Sequence, residues 1–293
     1  MNLNPLVSVI VRTYNRPERL RECLQSLHRQ FYKNLEIVIV NDAGVDVYDL
    51  LQDELPPLQY KYIHNTENQG RTRALNIGIA AAQGDFLCFL DDDDVIYPEH
   101  LQTLVQAAAP RNLPVVYTDV INVTYRKDIN TGEWKRAQEQ LVYSFDFERD
   151  NFLLANYIPI TCLLIRRDCF AAVGPFDESL LVYEDWEFLI RLSRKFDFQH
   201  IAKITGEYRR RDDNSNILEQ ERYLENEQVV KRRFMQDRDT IFDEKFKRIF
   251  QQQHQYNQLM QQALHLQNQL AEAQKLIVRL QQEVQHLRME KKV

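Results

Sequence analysis

Four consecutive carboxylates, Asp91, Asp92, Asp93 and Asp94, follow directly on the apolar run FLCFL. Like charges beside a low-dielectric wall repel more strongly than in water, and a plain turn is more naturally built from Gly, Asn or Pro. A divalent cation among the acids relieves that repulsion. Hard cations take oxygen ligands, and Mg²⁺ commonly combines one or two carboxylates with substrate phosphates. An Asp-x-Asp pair at a strand end therefore suggests a metal-bound diphosphate. Taken alone, the run is equally a solvated acidic turn that caps the next helix. Other acids stand at element ends as well: Asp42 closes the run EIVIVN, and Glu184 with Asp185 opens a helical stretch. Acids at a helix start are favoured by the macrodipole in any case.

The elements that must position these acids alternate. VSVIVR (7–12) is a nearly continuous β-branched run, as in a strand buried on both faces. The helix after it is expected to start at NRPE, with Asn15 as N-cap, Pro17 in the first turn and Glu18 completing a box-like start. A second strand is expected over 36–42, then a short helix, a third strand around YKYIH, and a helix through GRTRALNIGIAAAQG closing at Gly84. The fourth strand, 86–90, runs into the aspartates. Strands alternating with helices imply a parallel sheet with right-handed crossovers, and ligands bind such sheets outside the carboxyl ends of the strands. Asp42 and the aspartate run both stand there. From 115 to 208 the order is less regular. Strands at VVYTDVINVTY and IPITCLLIRR flank a loop containing Trp134, and a turn leads into a helix from about Glu184.

Bulk properties narrow the class. The chain of 293 residues carries a formal net charge of −6, so no overall basic field attracts nucleic acid or anionic membrane. The short basic run YRRRDD is followed at once by acids. Cys23, Cys88, Cys162 and Cys169 lie scattered in apolar contexts without a CxxC pair, which reads as core thiols in a reducing compartment. No leader peptide is evident, and no stretch approaches the roughly 20 apolar residues of a membrane helix. A cytoplasmic location is expected.

Beyond about residue 216 the composition turns to Gln, Glu, Leu and Arg without Gly or Pro. A heptad runs from Tyr256, with Tyr256, Ala263, Leu270, Ile277 and Val284 at a and Leu259, Leu266, Ala273, Leu280 and Leu287 at d. This pattern predicts a coiled coil, and Ile or Val at a with Leu at d favours a parallel dimer. The expected organisation is a catalytic domain over 1–215, a helical connector over 216–250 and a coiled coil over 251–293.

Four stretches in order, VSVIVRTYNRPERLRECLQSL, EIVIVNDAGVD, NQGRTRALNIGIAAAQGDFLCFLDDDD and EDWEFLIRL, resemble the family 2 glycosyltransferases of the GT-A fold. The resemblance covers about residues 6 to 215. It implies a Rossmann-like α/β/α sandwich with a mixed, mainly parallel sheet. By position, Thr13 and Tyr14 match residues lining the nucleotide base, and Asp42 matches the carboxylate that hydrogen-bonds it. Asp91, with Asp92 beside it, matches the nucleotide side of the Asp-x-Asp motif. Asp93 matches the metal-coordinating acid, with Asp94 second, and Asp185 matches the catalytic base, with Glu184 its neighbour. Two positions depart from the family pattern. Leu75 stands where an Arg often precedes the Asn of GxxxARNxG, which leaves Arg71 and Arg73 to supply charge to the nucleotide. The stretch YRRRDDNSN lacks the His of some relatives, so Asp212 or Arg209 would have to serve.

The expected activity is inverting transfer of a sugar, dependent on Mn²⁺ or Mg²⁺, from a nucleotide-diphosphate donor to a glycan or other hydroxyl acceptor, with specificity in about 115–160. A sugar-nucleotide pyrophosphorylase or a dinucleotide-binding dehydrogenase should show a Gly-rich loop after the first strand, and VRTYNRP has no glycine. A non-catalytic coiled-coil scaffold that retains a sugar-nucleotide domain stays open as the other alternative.

Overall fold

The computed structural model describes residues 2–211 and 220–234, together with Leu259, Met260, Gln262, Leu266 and Leu270. These last five are helical and exposed. The other heptad positions, the expected coiled-coil dimer and Asp212 lie outside the described residues.

The chain begins with β1 (Val7–Thr13), α1 (Pro17–His28), β2 (Leu35–Asn41), α2 (Tyr48–Glu54), β3 (Gln59–His64), α3 (Arg71–Ala81) and β4 (Phe86–Asp91). A two-residue β5 (Val95–Ile96), α4 (His100–Ala108), β6 (Val115–Lys127), β7 (Trp134–Tyr143) and a one-turn α5 (Arg149–Phe152) follow. Then come β8 (Leu163–Arg166), α6 (Asp168–Val173), α7 (Glu184–Ser193), β9 (Phe198–Arg211) and α8 (Gln220–Phe234).

The strands form one sheet in the order β3-β2-β1-β4-β8-β6-β9-β5, with β7 added to β6. The first four are parallel; β1, β2 and β4 have the apolar runs of strands buried on both faces, while β3 at the edge is half-buried. Parallel character does not extend across the sheet. β8 runs antiparallel to both β4 and β6, and β5 and β7 are antiparallel to their partners, while β6 and β9 are parallel. β1, β2, β3, β4, β6 and β9 run in one direction and β5, β7 and β8 against it, so the sheet is mixed and mainly parallel, as expected.

Alternation along each strand divides the core between two faces. Val7, Val9, Val11, Ile37 and Ile39 pack with leucines of α1, α2 and α4 on one face. Ile10, Val38, Val40, Leu87 and Phe89 pack with α3, α6 and α7 on the other. That is a three-layer α/β/α sandwich. Val230 and Phe234 of α8 are buried in the second cluster, so the compact unit runs to Phe234. All four cysteines are buried free thiols.

Two local expectations fail. Asn15 adopts φ 56°, a left-handed conformation that Asn tolerates, and Arg16 takes the cap position of α1 without a side-chain cap bond. Asn15 instead accepts a hydrogen bond from the Val45 amide at 2.9 Å. The stretch around Trp134 is a strand rather than a loop, paired with β6 through two register shifts.

Candidate active site

β2, β1 and β4 end side by side, with Thr13 opposite Asn41 and Arg12 opposite Asp91. Their carboxyl ends open into a cleft of about 950 Å³, within the usual range for small-molecule sites. Its walls carry Thr13, Tyr14, Asp42, Arg71, Asp91, Asp92, Asp93, Glu184 and Asp185. The segment 154–161 and the β9 residues Tyr208, Arg209 and Arg210 close the far side.

The four aspartates face four different environments. Asp91 is gripped by the Arg12 guanidinium, Nε to Oδ1 at 2.8 Å and Nη2 to Oδ2 at 3.3 Å. Burial alone would raise the Asp91 pKa, but Arg12 and Arg71 outweigh it and hold the carboxyl below its ordinary value. Asp92 accepts the Thr13 hydroxyl at 2.7 Å. Its burial and the neighbouring Asp93 push it up to about 6. Asp93 meets Arg16 at 3.2 Å and Arg19 at 3.5 Å, and burial with Asp91 raises it too. Asp94 turns away from the cleft. Its Oδ2 accepts from Thr161 at 2.7 Å and its Oδ1 from the Arg209 amide at 2.9 Å.

Arg12 was not recognised as a site residue from sequence, although a lone charge in the apolar run VSVIVR is a visible signal. It follows Ile10 on the face covered by α3 and α7, and its Nη1 donates to Glu184 Oε1 at 2.9 Å. Burial would lower the Arg12 pKa, and Asp91 and Glu184 together raise it instead. Arg71 stands on the other side of Glu184, with Nε 3.1 Å from Oε1, close enough for an ion pair but not aligned as a hydrogen bond. Burial works against ionisation of Glu184, and Arg71 and Arg12 overcome it to hold that pKa low.

Asp185 enters the cleft from the first turn of α7, after Tyr183 in the left-handed region at φ 63°. Its Oδ1 accepts the Trp186 amide at 2.7 Å and its Oδ2 accepts Asn156 Nδ2 at 3.3 Å. Burial and the adjacent Glu184 raise its pKa to about 6. Trp186 anchors the turn by donating its indole N–H to the Phe152 carbonyl at 2.7 Å.

The other expected residues divide. Asp42 lines the cleft but accepts from Asn65, the Gln69 amide and the Gly70 amide at 2.8–2.9 Å, so it organises the loop that leads into α3. Gly70 sits at φ 90°, which suits glycine at this turn. Tyr14 is exposed on the cleft wall. Arg73 does not line the cleft and lies 3.9 Å from Glu178, which does not line it either. Leu75 is core, and Arg12 and Arg71 both pair with Glu184 at the cleft. The Arg209 guanidinium is engaged by Glu22 at 2.6 Å and Glu207 at 2.8 Å, and Arg210, over the Tyr208 ring, lines the cleft at the same edge. Asn156 and Thr161 lie in a stretch whose sequence carries no motif.

Among the described residues, no group of three or more His, Cys, Asp or Glu side chains is arranged to hold a metal ion. A site that draws most of its ligands from substrate phosphates needs only one or two carboxylates. Asp93 fits that demand: it faces the cleft and its two arginine contacts are long. Asp94 is not part of the cleft lining, and each of its oxygens already accepts one hydrogen bond, from Thr161 and from the Arg209 amide.

A mixed sheet of this order with acids at the ends of β2 and β4 is the GT-A glycosyltransferase architecture. Staphylococcus aureus TarS (residues 1–349), solved with UDP-GlcNAc, superposes with a TM-score of 0.60 at 21% identity over 76% of this chain and 65% of that one. The mannosyltransferase PcManGT of Pyrobaculum calidifontis, solved with GDP-Man and Mn²⁺, gives 0.52 at 19% identity over 70% and 57%. In sequence, the uncharacterized glycosyltransferase YwdF of Bacillus subtilis is 29% identical over 210 residues, 72% of this chain and 76% of YwdF. Residues 8–174 match Glycosyl transferase family 2, more than half of the chain. The chain belongs to that family and is a glycosyltransferase. It spans less than two thirds of either superposed structure. No helix among the described residues is long and apolar enough to cross a membrane.

Proposed function

We propose that the protein transfers a sugar from a nucleotide-diphosphate donor to an acceptor hydroxyl with inversion at the anomeric carbon, and that Asp185 is the general base. The observation that carries this reading is the position of Asp185, whose carboxyl opens into the same cleft as Asp91, Asp92 and Asp93 and has its pKa raised to about 6. A base with a pKa near the working pH combines a large ionised fraction with useful basicity.

Thr13, Tyr14 and the loop ordered by Asp42 form the wall for the nucleoside, and Arg71 and Arg210 offer positive charge to the diphosphate. Asp93 would hold Mn²⁺ or Mg²⁺, which neutralises charge on the leaving diphosphate when bound. Asp185 Oδ2 takes the proton from the acceptor hydroxyl as its oxygen bonds to the anomeric carbon. The carbon–oxygen bond to the diphosphate breaks with its electron pair on the diphosphate. Attack from the face opposite the leaving group inverts the carbon in one displacement, and much of the acceleration comes from holding both reactants in line. The sugar-nucleotides in the TarS and PcManGT structures support a donor of this class.

The test is Asp185→Asn, which preserves size and removes basicity. With the donor that gives metal-dependent turnover in a panel of nucleotide sugars, turnover falls by ~10²–10⁴-fold with donor affinity nearly unchanged. Near-normal turnover moves the role to another residue, and retention of the anomeric configuration by NMR overturns the single displacement.

A further inference from the structure

The carboxyl end of β1 carries a buried arginine to which the assignments above give no role, and its contacts span the site. Arg12 is 8% exposed. It reaches Asp91 at the end of β4 through two nitrogens, Glu184 at the start of α7 through a third contact, and the Arg71 carbonyl at the start of α3 at 3.3 Å. One planar guanidinium thus joins the strand that carries the acidic run to the helix that carries Asp185. Lysine cannot reproduce this, because a point charge has no fork.

We propose that Arg12 is a positioning residue: it locks the first turn of α7 to the end of β4 through Glu184 and Asp91, and so fixes both the place of Asp185 and the charge beside it. This rests on the reading of Asp185 as the base.

The geometry carries the argument in two ways. A buried carboxylate stripped of its partner is strongly unfavourable, so Glu184 stays ionised and in place only while its arginines hold it. The backbone amide after Asp185 donates to Oδ1, so any movement of this turn displaces the base. The charged groups facing Asp185 are Glu184 from its own helix, Arg71 from α3 and Arg12 from β1, and the neutral Asn156 amide faces it from the 154–161 segment. Glu184 raises the Asp185 pKa, and Arg71 and Arg12 lower it. Arg71, 39% exposed at its side chain, borders the open cleft, whereas Arg12 is enclosed at 9%. Arg12 is therefore the fixed member of the pair.

The test reads the acid limb of kcat/KM, which reports the base in the free enzyme. Arg12→Met removes charge and fork together. The limb moves upward by about one pH unit, at the low end of what a neighbouring charge does, and kcat falls more than KM rises. Adding Glu184→Gln to Arg12→Met returns the limb toward its original place, and Glu184→Gln alone lowers it. Arg12→Lys keeps the limb near the wild-type position while kcat still falls, which separates placement from charge. An unmoved limb in Arg12→Met overturns the proposal. If that variant does not fold, an unmoved limb in Glu184→Gln overturns it. Full turnover in Asp185→Asn instead removes the base reading itself, whereas an inactive Asp185→Asn with unmoved limbs removes only the role of Arg12.

Discussion

The Thr161 hydroxyl, from the cleft wall, donates to Oδ2 of the buried Asp94 at 2.7 Å. With the Arg209 amide on the other oxygen, the contact makes Asp94 a brace between the end of β4, the turn before β8, and β9. Asp93, one residue earlier, faces the cleft. Adjacent acids thus have different surroundings.

Asp93→Asn is expected to weaken Mn²⁺-dependent nucleotide binding with the fold intact, because it removes a charge and an oxygen ligand. It also relieves repulsion, so the metal-free protein becomes no less stable. Asp94→Asn keeps both properties near wild type, since its amide oxygen can accept from Arg209 and its NH₂ can donate to Thr161. Asp94→Ala leaves two buried donors unpaired at ~1–3 kcal/mol each. Calorimetry with Mn²⁺ and nucleotide, alongside denaturant unfolding, separates these cases. Loss of metal-dependent affinity in Asp94→Asn but not Asp93→Asn reverses the assignment.

What the sequence disclosed follows the physics of each segment. β1, β2 and β4 are buried on both faces, so their apolar runs are unbroken and their ends, with the acids, were readable. β7 is largely exposed, and WKRAQEQLVY shows no alternation that marks a strand. β8 is only four residues long and its antiparallel direction is set by partners distant in sequence. At the cleft, Asp185 was legible through its motif and Arg12 left a signal as a lone charge in VSVIVR, while Asn156 and Thr161 act through tertiary contacts that no local pattern encodes. Asp94 is indistinguishable from Asp93 in the string DDDD; only the direction of its side chain assigns it a different role.

The heptads beginning at Tyr256 predict, from sequence alone, a parallel dimer separable from turnover. A chain cut after residue 250 keeps the compact unit through Phe234. Light scattering is expected to show a monomer that still uses soluble donor and acceptor. A dimer in the shortened chain rules out this assignment.

Gly78 lets α3 lie close against β1. A Cβ built there would be 2.4 Å from Ile10 Cγ2, a buried branched side chain without room to withdraw. Gly78→Ala would gain helix propensity on an isolated helix, yet here the clash dominates. A loss of ~1–3 kcal/mol is expected from overpacking, read as a lower midpoint in urea. A midpoint unchanged or raised shows that α3 can shift outward freely.

His100 gives a pH-dependent prediction away from the cleft. It is fully buried on α4, with Nδ1 2.7 Å from Thr205 Oγ1 and Nε2 3.9 Å from Cys88 Sγ. Burial lowers its pKa from 6.5 to about 3, because no carboxylate offsets the cost of enclosing an imidazolium. Between those values the unfolded chain binds a proton that the folded chain refuses. Stability therefore rises with pH across this window and falls as the solution is acidified below 6.5. The loss reaches about 2 kcal/mol at pH 5 by linkage. Asp92 and Asp185, both raised to about 6, bind protons more readily in the folded state and act with the opposite sign over the same range. The histidine contribution is thus isolated only as a difference. His100→Asn retains a polar group near the Thr205 hydroxyl and does not titrate. Urea unfolding of both proteins at pH 7, 6 and 5 should show the wild type losing more stability than the variant at each step. Parallel pH dependences would mean that the folded protein admits the proton at His100.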